Sequence, residues 1–133
     1  MTDDDFAREP LEKLVAEIVA LVIEADSSFM VASVRKRNRM LVRYRAIGDE
    51  ILSRGEAGAS AMITLMSHGD TAVRGAAAAR CLLRNVDRDH AINVLADICD
   101  LRAGNVSMNA ADALMFAGEF DMETGPIRRP ARA

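Results

Sequence analysis

The sequence predicts an all-α protein, an α–α superhelix of about six antiparallel helices. Three observations lead there. A helical unit is written twice, over residues 59–83 and 92–116, at an offset of 33. Ala61, Met62, Leu65 and Met66 align with Val94, Leu95, Ile98 and Cys99. Val73, Ala77, Ala78, Cys81 and Leu82 align with Val106, Ala110, Ala111, Leu114 and Met115. A fixed period of this length marks stacked helix pairs. Apolar residues elsewhere recur at helical spacing, and no stretch reads as a convincing strand. Half the residues are hydrophobic but only 4% are aromatic, so the core must be built from aliphatic and small side chains.

The elements follow in order. Residues 1–9 are acidic and predict a frayed N-terminus. Pro10 suits the first position of a helix, where its missing N–H costs nothing. Leu11, Leu14, Val15, Ile18, Leu21, Val22 and Ala25 then form an apolar stripe, widened by Val19 and Ile23. Asp26-Ser27-Ser28 breaks that helix. A longer one follows to about Ser53, with Met30, Val34, Leu41, Tyr44, Ile51 and Leu52 as its apolar face. Gly48 costs about 1 kcal/mol inside a helix relative to Ala, which predicts a kink or the close approach of another backbone. Arg54-Gly55 ends the element.

A third helix spans about Ala57 to Ser67, and His68-Gly69-Asp70 forms the turn after it. Asp70 is placed to cap the fourth helix, which runs to about Arg84. Asp87 is expected to cap the fifth, His90 to Asp100. Gly104-Asn105 makes the next turn. The sixth helix runs from Val106 to Ala117 and stops at Gly118. Residues 10–118 read as a single domain: a divergent N-terminal helix pair over 10–55, then two repeat units over 57–118. Residues 119–133 read as a flexible, weakly basic tail.

Charge and cysteine content narrow the function classes. The net charge of −3 is mild, but it is unevenly spread. Residues 1–26 carry eight acids and two bases, and residues 35–45 carry six bases and no acid. Cys81 and Cys99 fall on apolar stripe positions, as buried thiols do. Neither has a nearby partner at a zinc spacing. The acidic start is no secretory signal, and the apolar run Ile18–Ile23 is too short to span a bilayer. A soluble cytoplasmic protein is expected.

Gly69-Asp70-Thr71-Ala72-Val73-Arg74, followed by Ala76-Ala77 and Leu82-Leu83, resembles a HEAT repeat of the armadillo-type superhelices. The second copy departs from it, with Ala103 in place of Asp70 and Ser107 in place of Arg74. A longer resemblance covers about residues 11–117. It is to a family of short bacterial proteins known as a domain of unknown function, family twenty-nineteen. It rests on Asn38-Arg39, on Glu50-Ile51-Leu52-Ser53-Arg54-Gly55 and on Val73-Arg74. The resemblance implies an α–α superhelix and implies no activity.

The candidate binding residues are all basic. Arg35, Arg39 and Arg43 line up at i, i+4 and i+8 with Lys36 beside them, and could follow a phosphate backbone. Pairing with Glu12, Glu17 and Glu24 of the acidic first helix competes with that reading and is favoured by charge complement. Arg80, Arg84 and Arg88 could extend a basic surface along the inner helix of the first unit and meet an acidic partner protein, or pair locally with Asp87 and Asp89. Arg74 is expected to tie its turn to the helix. His68 and His90 join no nucleophile or metal-ligand motif. Asp49 and Glu50 are adjacent on a helix and point in different directions. No cofactor is expected. The expected role is non-catalytic binding of another protein, as an adaptor or a toxin-immunity protein; the alternative is nucleic-acid binding by the basic second helix.

Overall fold

The structure, a computed structural model, describes residues 6–27 and 33–130. Six α-helices fill most of that length: α1 (Leu11–Ser27), α2 (Val34–Leu52), α3 (Gly55–Leu65), α4 (Thr71–Leu83), α5 (Arg88–Leu101) and α6 (Asn105–Phe116). They are followed by a minimal antiparallel hairpin of β1 (Phe120–Asp121) and β2 (Gly125–Pro126), with Phe120 opposite Pro126. Consecutive helices pack on one another, and α4 also packs against α1, α2 and α6. The protein is an all-α helical fold arranged around α4. Met1–Asp5, Ser28–Ala32 and Ala131–Ala133 lie outside the described residues, so the expected Met30 position and part of the α1–α2 break do too.

Local chemistry explains the boundaries. The Ser33 hydroxyl accepts from the Lys36 N–H at 3.1 Å and opens α2. The Asp70 carboxylate accepts from the Val73 N–H at 3.1 Å and opens α4, as its position before the repeat helix predicts. Asp87 does not cap in that way. It sits at the N-cap of α5 with φ 45°, and its carboxylate faces His90 Nδ1 at 3.0 Å instead.

The C-terminal ends of α4 and α6 repeat one geometry. Asn85 and Gly118, 33 positions apart, both take positive φ, at 55° and 76°. Beyond each, an N–H reaches back to a buried turn: Val86 to Cys81 O and Glu119 to Leu114 O, both at 2.8 Å. This is the left-handed stop that Gly and Asn adopt most readily. Within the units, the aligned positions of α4 (Val73, Ala77, Ala78, Cys81 and Leu82) are all buried. In α6 only Ala110 and Leu114 are buried among their counterparts, and Met115 is exposed. Among the described residues only the short β1 strand packs on α6 from the C-terminal side, and Met108, Met115 and Phe116 of α6 stay exposed.

The two turns are tied by different groups. Arg74 donates to the His68 and Gly69 carbonyls at 3.0 and 3.3 Å and to the Thr71 hydroxyl at 3.0 Å. In the second unit Ser107, at the equivalent position, is buried. Its hydroxyl donates to Ile98 O at 2.7 Å and accepts from the Ala103 N–H at 2.8 Å.

Three expectations are corrected. Phe6 is buried in the core, and Arg54 donates to its carbonyl at 2.9 Å, so residues 6–9 are not frayed. Of the expected α2 face, Ile51 is buried and Tyr44 and Leu52 pack against the core, but Met40, Ile47 and Gly48 are buried besides and Val34 projects into solvent at the first turn. Residues 119–130 are not a loose tail. Asp121 accepts from the Glu123 and Thr124 N–H groups at 2.7 and 3.0 Å to build the hairpin turn. Phe120 packs against the core.

One glycine is set by close packing. A Cβ added to Gly58 would lie 1.7 Å from the Ile51 carbonyl oxygen, a contact neither backbone can yield to cheaply. Gly58→Ala is therefore expected to destabilise the fold by about 3 kcal/mol or more, read from the urea midpoint. Leu82→Ala, which empties a buried site in α4, should cost ~2–5 kcal/mol in the same measurement.

Candidate functional site

A cleft of about 390 Å³ opens between α1, α2, α4 and α6. Ala72, Gly75, Ala76 and Ala79 supply its α4 wall. Their spacing of three and four places them on one side of that helix. Leu21 and Val22 of α1, Met40 and Leu41 of α2, and Val106 of α6 add apolar surface. The polar side chains are three cations, Arg37, Arg45 and Arg80, two carboxylates, Asp26 and Asp112, and the neutral Tyr44, Asn105 and Asn109. An apolar cavity of this size with a small number of convergent polar groups has the usual character of a binding site.

Arg80 is the best-fixed of these cations. Its stem crosses α2 at Gly48, where an added Cβ would stand 3.1 Å from Arg80 Cδ. The close approach expected at Gly48 is real, but it is made by a side chain and not by another backbone. Beyond Gly48 the guanidinium lies over the Tyr44 ring, 5.8 Å from its centroid. Nη1 donates to Asp49 at a long 3.4 Å, and the buried Nε has no acceptor. Arg84 takes the same carboxylate more closely, with Nη2 2.8 Å from Asp49 Oδ2. One carboxylate thus serves two guanidinium groups. Arg80 and Arg84 do pair, but with Asp49 across the α2–α4 contact and not with Asp87 and Asp89 nearby.

Burial pushes the Tyr44 hydroxyl up from its ordinary value, and the Arg80 and Arg45 charges pull it partly back. The same physics acts on the thiols. Burial raises the Cys81 thiol to about 11 and raises Cys99 as well. Both stay protonated at neutral pH, the inert state of a buried cysteine.

The basic face of α2 divides in two. Arg43 pairs with Glu17 and lies 5.4 Å from the centre of the Phe6 ring. Lys36 pairs with Glu24 at 3.6 Å. These are two of the α1 acids the sequence offered, and Glu12 has no ion pair among the described residues. Arg35 and Arg39 are exposed and make no ion pair among the described residues. None of these four lines the cleft, and neither does Arg84; of the six candidates only Arg80 does. Arg37 and Arg45, on the cleft side of the same segment, were not singled out by the sequence. Their spacing to Leu41 and Tyr44 was the available signal.

Asp49 and Glu50 diverge as expected, Asp49 toward α4 and Glu50 to Arg54 Nε at 3.0 Å. Among the described residues no three His, Cys, Asp or Glu side chains gather as metal ligands. No described helix is long and apolar enough to cross a membrane. No family model matches the chain, and no curated protein or solved structure matches it either.

Two outcomes follow from the shifted groups. Tyr44 is the only tyrosine, so its ultraviolet titration is unambiguous. Arg80→Met removes the cation that lowers it and should raise the Tyr44 midpoint further. The Cys81 thiol, raised from 9.0 to about 11, favours the folded state only while it remains neutral. Below 9 both states are protonated and its contribution is fully present; between 9 and 11 the unfolded thiol ionises first, so stability should fall as pH rises. Urea midpoints across that window, compared with Cys81→Ala, read the difference.

Proposed function

We propose that this chain is a non-catalytic interaction module of the HEAT-like type, which holds a segment of another protein in the cleft between α1, α2, α4 and α6. The observation that carries the reading is the α4 wall. Ala72, Ala76 and Ala79 are only half-buried and stand beside Arg80 and Arg45. Small residues let a partner backbone come close, and the cations select an acidic one. The repeat reading draws support from the matched stops of α4 and α6 and from the paired turn ties. The class includes adaptors and toxin-immunity proteins acting in the cytoplasm.

Nucleic-acid binding by α2 has less to work with, because Arg43 and Lys36 already face Glu17 and Glu24. The two readings separate in one experiment. The chain is immobilised beside an Ala76→Leu/Arg45→Glu variant and an Arg35→Ala/Arg39→Ala variant, and saturable protein binding from source-cell lysate is measured. The cleft variant should lose at least about tenfold in affinity, and the α2 variant should keep it. Equal retention by the cleft variant would remove the cleft as the interface. A mobility shift of DNA or RNA at low salt that disappears in the Arg35→Ala/Arg39→Ala variant would favour nucleic acid instead.

A further inference from the structure

A second recognition surface lies on α5, which contributes nothing to the cleft. Asp89, Asn93, Asp97 and Asp100 fall at i, i+4, i+8 and i+11 along this helix. Residues 127–130 of the same chain lie across them. Asn93 reads the backbone there: its Nδ2 donates to Arg129 O at 3.0 Å, and its Oδ1 accepts from the Arg129 N–H at 2.8 Å. A side-chain amide used in this way imitates a strand edge and recognises any extended segment.

The arginine side chains supply the selectivity. Arg128 bridges Asp97, at 2.5 Å, and Asp100. Arg129 reaches Asp89 at 3.3 Å and Glu119 at 2.6 Å. Glu119 is also approached by Arg88 at 3.3 Å. The Arg128 pairs are wet, with Asp97 74% exposed and Asp100 63%, while Glu119 beside Arg129 is only 12% exposed. No residue of 127–130 belongs to the core cluster, whereas Phe120 of the hairpin packs against it. Exposed ion pairs hold weakly. Departure of residues 127–130 breaks the Ile127 N–H to Glu119 O bond of 2.9 Å and the half-buried Arg129–Glu119 pair but no core packing, and uncovers an Asn flanked by four carboxylates.

We propose that this face of α5 is a docking site for an extended, arginine-bearing segment of a partner protein, and that residues 127–130 are its resident occupant, displaced when the partner binds. The argument for that occupant is the resident itself: the site already holds Arg-Arg in extended form, with matching carboxylates. A tethered occupant competes at an effective concentration on the order of millimolar, so it masks the site from weak ligands.

The probe is a labelled peptide, Thr-Gly-Pro-Ile-Arg-Arg-Pro, followed by fluorescence anisotropy with the full chain. Arg128→Ala/Arg129→Ala should bind it at least tenfold more tightly than the unaltered chain. Binding should weaken with salt and vanish when Asn93→Ala is added. A helical, cooperatively folded double variant that binds no better would overturn the proposal. Amide exchange on the unaltered chain gives a second reading. The Arg129 N–H should exchange at least a hundredfold faster than the amides of Ala78 and Leu82. Exchange at their rate would make the segment a permanent part of the fold and sink the idea. Dimers that form with concentration and disappear on Arg128→Ala/Arg129→Ala would make a second copy the occupant and overturn the assignment to a different partner.

Discussion

The constraint on which the rest of the structure depends is the thinness of α4. Five helices surround it in a chain this short, and α1, α2, α3, α5 and α6 all reach it. Four consecutive alanines, Ala76 to Ala79, make that possible. Ala77 and Ala78 turn inward and are buried, while Ala76 and Ala79 face the cleft. Alanine favours helix without side-chain bulk. A wider helix would push the surrounding elements apart; a helix with more glycine would lose stability. The same small residues therefore close the core on one side and leave a cavity on the other.

Helices α2 and α4 are joined by a second device. Gly48 removes a side chain from α2, and Arg80 fills the space with its aliphatic stem. The guanidinium then meets Tyr44 and shares Asp49 with Arg84. A long cationic side chain does two things here: its stem packs and its head stays polar. Its buried Nε has no acceptor, which is costly in a fold and leaves donor capacity near the cleft wall. Core packing and cleft lining share this residue, so the two cannot be varied independently at Arg80.

Sequence reasoning recovered what is local. The Asp70 cap, the turn role of Arg74 and the burial of Cys81 and Leu82 depend on neighbours within one or two helical turns. The pairing of α2 with α1 was legible because the charges are segregated between two consecutive helices. Contacts across long separations were not legible. Nothing near Gly48 announces Arg80, and nothing near Arg128 announces Asp97. The tail was misread for that reason: Gly125 and Pro126 look disordered until β1 pairs with them, and Arg128 and Arg129 until α5 supplies carboxylates. Phe6 was hidden similarly, as a single ring in an acidic run. The cleft itself was half visible. A run of four alanines reads as a slender helix, but the exposure of Ala76 and Ala79 depends on how far α1 and α6 stand apart.

The unequal cover of the two repeat units has a chemical consequence. Met40, Met62 and Met66 are enclosed by neighbouring elements, at 8%, 0% and 2% exposure. Met108 and Met115 on the uncovered side of α6, and Met122 in the hairpin, are 63%, 42% and 79% exposed. Peroxide converts an accessible thioether to a polar sulfoxide. The outer trio can take up oxygen at little structural expense, while the inner trio is shielded by packing. Accessible thioethers react before enclosed ones, so Met108, Met115 and Met122 should oxidise ahead of Met40, Met62 and Met66.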